Sequence, residues 1–216
     1  MDYQQLKQRH RAERDNYHTN LSLRVHRSLS WLQRAEQAED PDGRFIFLWI
    51  AFNAAYATEI DDEYRTSEKL SFGSFLEKLS DLDGNRLLEQ LTWTEFPKSI
   101  RVLLSNRYVF QGFWDFHNDK ITQEEWESQF EKAKVAAQAA LGRQDTPTVL
   151  GIALHRIYTL RNQLIHGGAT WNSSVNRDQV RDCVALMEKL VPAILTIMMD
   201  NSDTLWGDAC YPVVEG

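Results

Sequence analysis

The stretch RFIFLWIAFNAAYA, Arg44 to Ala57, is apolar on nearly every side of a helix, and Asn53 is its one polar interior residue. A segment of that kind belongs in the middle of a helical core, with other helices around it. If buried there, Asn53 needs hydrogen-bond partners. On the N-terminal side, Leu21, Val25, Leu29, Leu32 and Ala35 step by four and three, which gives 19–38 one apolar face. Pro41-Asp42-Gly43 reads as the turn between the two helices.

Beyond Ala57 the pattern weakens over 60–121. Phe75, Leu76, Leu79 and Leu82 predict a short helix closed near Gly84, and Pro97 opens another that carries Ile100, Leu103 and Leu104. The aromatic cluster Tyr108, Phe110, Phe113, Trp114 and Phe116 reads as a packing collar in preference to a base-stacking surface. Thr122 with Glu125 forms a capping box, followed at helical spacing by Trp126, Phe130, Ala133, Ala137 and Leu141 up to Gly142. Thr146 then serves as N-cap with Pro147 in the first turn. Leu150, Leu154, Ile157, Leu164 and Ile165 form the stripe of a helix that ends at His166-Gly167-Gly168. After a polar loop, the residues from Val180 to Met198 repeat at three and four, with Pro192 expected to kink that last helix or cost it a hydrogen bond. The tail with Trp206 and Tyr211 is expected to pack across the surface. No alternating strand pattern or repeat occurs, so the expectation is one all-α domain over 1–216.

Composition agrees with a globular chain: 43% hydrophobic and 25% charged residues. The polar opening MDYQQLKQRHRAERD does not resemble a secretory signal. Apolar runs such as Leu190 to Met199 fall short of the roughly 18 residues of a membrane span. Cys183 and Cys210 alone make no disulfide framework. The expectation is a cytoplasmic protein, in which the acceptor pattern Asn172-Ser173-Ser174 goes unglycosylated. Net charge is −7, against loose polyanion binding by the whole surface. Residues 1–34 carry seven Lys/Arg against three acids, a charge of +4, which leaves −11 on the remainder. A basic N-terminal region could track a phosphate backbone; the plainer reading is a solvated helix face.

Several chemistries lack their sequence signatures. There is no G-x-G-x-x-G, Walker glycine loop, G-x-S-x-G, His-Glu-x-x-His or Cys-x-x-Cys. His117 near Asp119 lacks a third metal ligand in view. No cofactor or metal is expected.

The segment LRNQLIHGG, Leu160 to Gly168, is the best candidate for chemistry. Asn162 and His166 are four apart and share a helix face, so the Asn162 amide can orient the His166 ring. Arg161 precedes His166 by five residues, about 140° round a regular helix. The two converge on one substrate if the helix loosens at its glycines, if Arg161 reaches round, or if a second chain places its own copy opposite in a homodimer. The plain alternative is structural: a histidine before glycine is an ordinary helix C-terminus, and Arg161 can snorkel from the edge of the apolar stripe.

Arg161-Asn162 followed by three residues and His166, at the end of a long helix before one final helix, resembles the signature of the HEPN superfamily: Arg, four to six residues, then His, often with a polar residue directly after the Arg. FIFLWIAFNAAY is also similar to the second core helix of such proteins. The resemblance implies a four-helix core at 19–38, 44–58, 146–166 and 176–200, with 60–142 as a helical insertion. It further implies a metal-independent endoribonuclease, often a toxin or an antiviral defence effector, with an RNA substrate, a homodimeric cleft and a restraining antitoxin or other regulatory protein. On that basis Arg161 steadies the scissile phosphate, His166 exchanges protons and Asn162 orients. The competing expectation is a non-catalytic helical module that binds a protein partner or a nucleotide.

Overall fold

A computed structural model describes residues 2–57 and 68–209, the side chains of 68–71 excepted. Ten α-helices run through the described residues: α1 (Tyr3–Glu13), α2 (Thr19–Glu36), α3 (Pro41–Tyr56), α4 (Glu68–Leu82), α5 (Leu87–Gln90), α6 (Pro97–Ser105), α7 (Gln111–His117), α8 (Gln123–Gly142), α9 (Thr146–Ile165) and α10 (Arg177–Asp200). The fold is all-α. The four expected core helices correspond to α2, α3, α9 and α10, displaced at their ends by three residues at most. Residue 58, Cys210 and Tyr211 lie outside the described residues.

α3 packs against α2, α10 and α9, as its all-round apolarity demands. Phe45, Leu48, Trp49 and Phe52 are buried, and Tyr56 stacks on Phe52 at 5.4 Å. Asn53 is the exception, because it stands exposed on the one edge that no neighbour covers. It therefore needs no buried partner. α4 packs along α9 and puts Phe72, Leu76 and Leu79 into the same continuous core as Leu150, Leu154 and Ile157 of α9 and Met187, Leu190 and Ile194 of α10. Part of the stretch expected as an insertion is thus a structural wall of the bundle.

Two starts differ from expectation for the same reason. Pro41-Asp42-Gly43 is no turn but the first turn of α3: Asp40 accepts from Gly43 N–H at 2.8 Å, and proline's fixed φ suits the first helical position. In α9 the cap is Asp145, accepting from Thr148 N–H at 3.2 Å, while Thr146 is buried and accepts from Trp93 Nε1 at 2.8 Å. Either oxygen-bearing side chain can cap; Thr146 is drawn inward by the indole. Pro192 lies within α10, where the missing N–H leaves the Glu188 carbonyl without its helical donor. The aromatic collar is as expected: Phe113 meets Trp126 edge-on at 5.3 Å, and Phe110 lies 5.2 Å from Phe130, so α7 clasps α8.

Much of the basic charge of 1–34 is spent on structure. Arg9 pairs with Asp200 at 2.7 Å and with Glu13, Arg34 lies over the Phe47 ring at 4.5 Å, and Lys7 bonds Tyr3. Arg24, 1% exposed, donates to the Ala55 carbonyl at 2.9 Å and the Asp208 carbonyl at 2.6 Å. It thereby neutralises the negative end of α3 and pins the C-terminal segment there. Trp206 is buried in that segment and donates to the Asn201 carbonyl at 3.1 Å. No helix of the described residues is long and apolar enough to cross a membrane.

Candidate functional site

α9 runs through the core and delivers the candidate residues at its last turn. Its buried face comprises Val149, Leu150, Ala153, Leu154, Ile157 and Leu160. Arg161 follows at the edge of that face and is half-buried. Its Nη1 donates to Asn162 Oδ1 at 2.9 Å, its guanidinium lies 5.8 Å from the centroid of the Tyr158 ring, and its Nε is buried without an acceptor. Among the described residues no carboxylate forms an ion pair with it. Nε is sealed from solvent, so an anion from outside would meet this half-buried guanidinium, which has no carboxylate partner, through its terminal nitrogens.

His166 is the C-cap of α9, with φ −89° and ψ 10°. That ψ departs from the helical value of about −42°. Its ring is exposed, and among the described residues it has no hydrogen-bond partner. The bond that joins it to Asn162 is a backbone one, His166 N–H to Asn162 O at 3.0 Å. The expected side-chain contact is not made. The Asn162 amide oxygen is taken by the neighbouring guanidinium, so Asn162 orients Arg161 instead of the imidazole.

The helix stops here because of two glycines. Gly167 has φ +69°, which only glycine adopts without strain. A Cβ on Gly168 would sit 3.3 Å from the Gln163 carbonyl oxygen, so the chain folds back tightly over the last turn. Gly167 N–H then reaches the Leu164 carbonyl at 3.3 Å, and Ala169 N–H reaches the Gln163 carbonyl at 3.2 Å. Gln163 Nε2 also donates to the Tyr108 carbonyl at 2.7 Å, which ties the helix end to the turn before α7. On the other side, buried Asp42 accepts from Arg177 Nη2 at 2.6 Å and Asn172 N–H at 2.7 Å, anchoring the following loop to the start of α3. His166 is thus an exposed side chain on a braced backbone. In the segment from 165 to 175, Ile165, Trp171 and Val175 are exposed at 46%, 74% and 89%. Ile165 was expected on the apolar stripe; it falls at the final turn, beyond the reach of the neighbouring helices.

α9 carries a second unusual group, one turn and a half earlier. Arg156 is 4% exposed, with its guanidinium 4.5 Å from the Phe110 centroid and 5.8 Å from that of Phe130. Burial pushes its pKa down to about 10. Helical spacing from Ala153 puts Arg156 on the buried face with Ile157 and Leu160, so a charge in a core register is legible in the sequence. The aromatic residues that receive it are not, since they come from the start of α7 and from α8. The thiol of buried Cys183 is pushed up by desolvation, which leaves it inert. His117 is exposed and packs on the Phe113 ring at 4.3 Å.

Set against protein families, curated proteins and solved structures, the chain matches none of them.

Proposed function

We propose that this chain is a metal-independent endoribonuclease of the HEPN type, a toxin or antiviral defence effector, which cuts RNA at a cleft between two copies of itself. The observation that carries the reading is Arg161: a half-buried guanidinium, held by Asn162, with no carboxylate partner among the described residues and five residues ahead of an exposed histidine.

RNA brings its own nucleophile. A general base takes the proton of the 2′-hydroxyl, the 2′-oxygen bonds to phosphorus, and the bond to the 5′-oxygen breaks as a general acid protonates it. The products are a 2′,3′-cyclic phosphate and a 5′-hydroxyl. An imidazole, with a reference pKa of about 6.5, serves either step at neutral pH. A guanidinium gripping the phosphate by two N–H groups offsets the charge that builds on its oxygens. With two chains, one His166 acts as base and the other as acid. Exposed Ile165, at the end of α9, and Trp171 and Val175 in the loop that follows support a second copy packing on this segment.

The test is RNA incubated with purified protein in chelator, alongside Arg161→Ala and His166→Ala. Wild-type cleavage to cyclic phosphate ends, lost in both variants, is the expected result; cleavage that survives both substitutions would overturn the assignment. A second reading, a non-catalytic helical module, is favoured by those same exposed apolar residues, which fit a protein partner equally well. It predicts no cleavage by any form and a partner recovered by pulldown.

A further inference from the structure

The aromatic collar has one member that does not close it. Tyr108 is 48% exposed, whereas Phe110, Phe113, Trp114 and Phe116 are all partly covered. The backbone of Tyr108 is nonetheless held on both sides. Its N–H donates to Asn106 Oδ1 at 2.9 Å, and its carbonyl accepts from Trp114 Nε1 at 2.8 Å and from Gln163 Nε2 at 2.7 Å. The last of these bonds sets its place relative to the end of α9. Gln163 precedes His166 by three residues and so shares its helix face. The 3₁₀ turn Arg107–Val109 is therefore fastened on the His166 side of the last turn of α9.

Arg107 accompanies the ring. Its guanidinium lies 5.0 Å from the Tyr108 centroid, and Nη2 donates to the Tyr108 hydroxyl at 3.0 Å. It is exposed and forms no ion pair among the described residues; Asp115, the carboxylate of α7, pairs with Lys120 at 3.5 Å instead. An exposed ring on a fixed backbone has little freedom left to lose when something settles on it. A ring with a cation at its side suits a planar group that carries a negative charge. An unstacked nucleobase with its phosphate is such a group: the ring or the guanidinium plane takes the base, and the charge takes the phosphate. Arg161 and His166 act on the phosphodiester alone, so nothing else at that end of α9 has been assigned to the base.

We propose that Arg107 and Tyr108 form the nucleobase subsite of the Arg161–His166 centre, Tyr108 stacking a base next to the scissile phosphate and Arg107 holding that nucleotide's own phosphate. The inference rests on the ribonuclease reading, and it gives the stretch 60–142 a part in recognition. Fluorescence anisotropy on the full chain tests it, with a single-stranded RNA made uncleavable by 2′-O-methyl groups and a base-free strand of the same length and charge. The wild type should bind the RNA about 10–100-fold more tightly than the base-free strand. Tyr108→Ala should bind both alike, and Tyr108→Trp should restore the difference, which a merely structural role would not do. Should Tyr108→Ala not fold, Tyr108→Leu, which fills the space without a π face, takes its place. Arg107→Gln should weaken both strands equally and flatten the slope of log affinity against log salt by about 0.7. In cleavage, Tyr108→Ala should raise KM by the factor lost in binding and leave kcat within about threefold of wild type. RNA that is cut, yet bound by wild type with no preference for bases or by Tyr108→Ala with the preference intact, overturns the subsite and leaves the nuclease reading standing. RNA that is bound with a Tyr108-dependent preference but never cut does the reverse, and absence of RNA binding overturns both.

Discussion

Arg24 on α2 and Arg156 on α9 are both almost fully buried, yet their surroundings differ in kind. Arg24 donates to two main-chain carbonyls from distant parts of the chain, one at the end of α3 and one in the C-terminal segment. Arg156 lies against the neighbouring rings of Phe110 and Phe130 and has no acceptor among the described residues. The first arrangement suits a structural cation: although its Nε also lacks an acceptor, both terminal nitrogens have hydrogen bonds that replace those lost with water, and it joins two distant segments. The second leaves the electrostatic cost uncompensated. Arg161, five residues further along α9, shares that deficit in a milder form, with one bond to Asn162 and an idle Nε. The α2–α3 side of the molecule uses its buried charge to hold itself together, whereas α9 carries charge that the fold does not use.

The largest expected effect lies at the end of α9. If the nuclease reading is right, Arg161→Ala and His166→Ala each lower kcat for RNA cleavage by about 100-fold or more, with melting temperatures close to wild type. A parallel fall in stability would place Arg161 with Arg24 as a structural group. Next, Arg24→Leu should cost about 3 kcal/mol in urea unfolding, because the Ala55 and Asp208 carbonyls lose charge-assisted donors. The contrast sharpens with Arg156→Met, which should be neutral or up to about 2 kcal/mol stabilising, since it replaces an uncompensated buried charge with an apolar side chain of similar length. Equal destabilisation by the Arg24 and Arg156 substitutions would erase the distinction between the two sides.

The smallest effect concerns pH. His10 is 4% exposed, packed near Tyr17 and His26, and burial holds its pKa below the ordinary value. The unfolded chain therefore binds a proton more readily, so this residue's contribution is complete above pH about 6.5 and is lost as the pH falls through that value towards the folded pKa. Stability should rise with pH across that window, and His10→Gln should flatten that part of the profile. A slope unaltered by the substitution would assign the dependence to other groups.

Much of the helical plan is legible in the sequence. Leu21, Val25, Leu29, Leu32 and Ala35 are all buried, the Thr122–Glu125 capping box forms, and α9 stops where Gly167 and Gly168 make continuation costly. Where the structure departs from the local pattern, the choice lies between near-equal local options: Asp40 and Asp145 cap their helices, although the residues alone favour a turn at Pro41 and a cap at Thr146. Helical spacing pairs Asn162 with His166 four residues on, yet the Asn162 amide accepts from Arg161 beside it, because the long arginine side chain reaches it. The candidate site was legible as a list of residue types. Its electrostatic character was not, because that depends on which groups lie within a few ångströms.

Amphipathic periodicity, proline and glycine positions and capping side chains settle where this chain forms helices, since those preferences act over a few residues and need nothing from distant ones. Which of its arginines is satisfied, which is stacked and which faces outward was decided only when α3, α7, α8 and the C-terminal segment came together. The free energy of a buried charge depends on neighbours remote in sequence, and no local pattern records them.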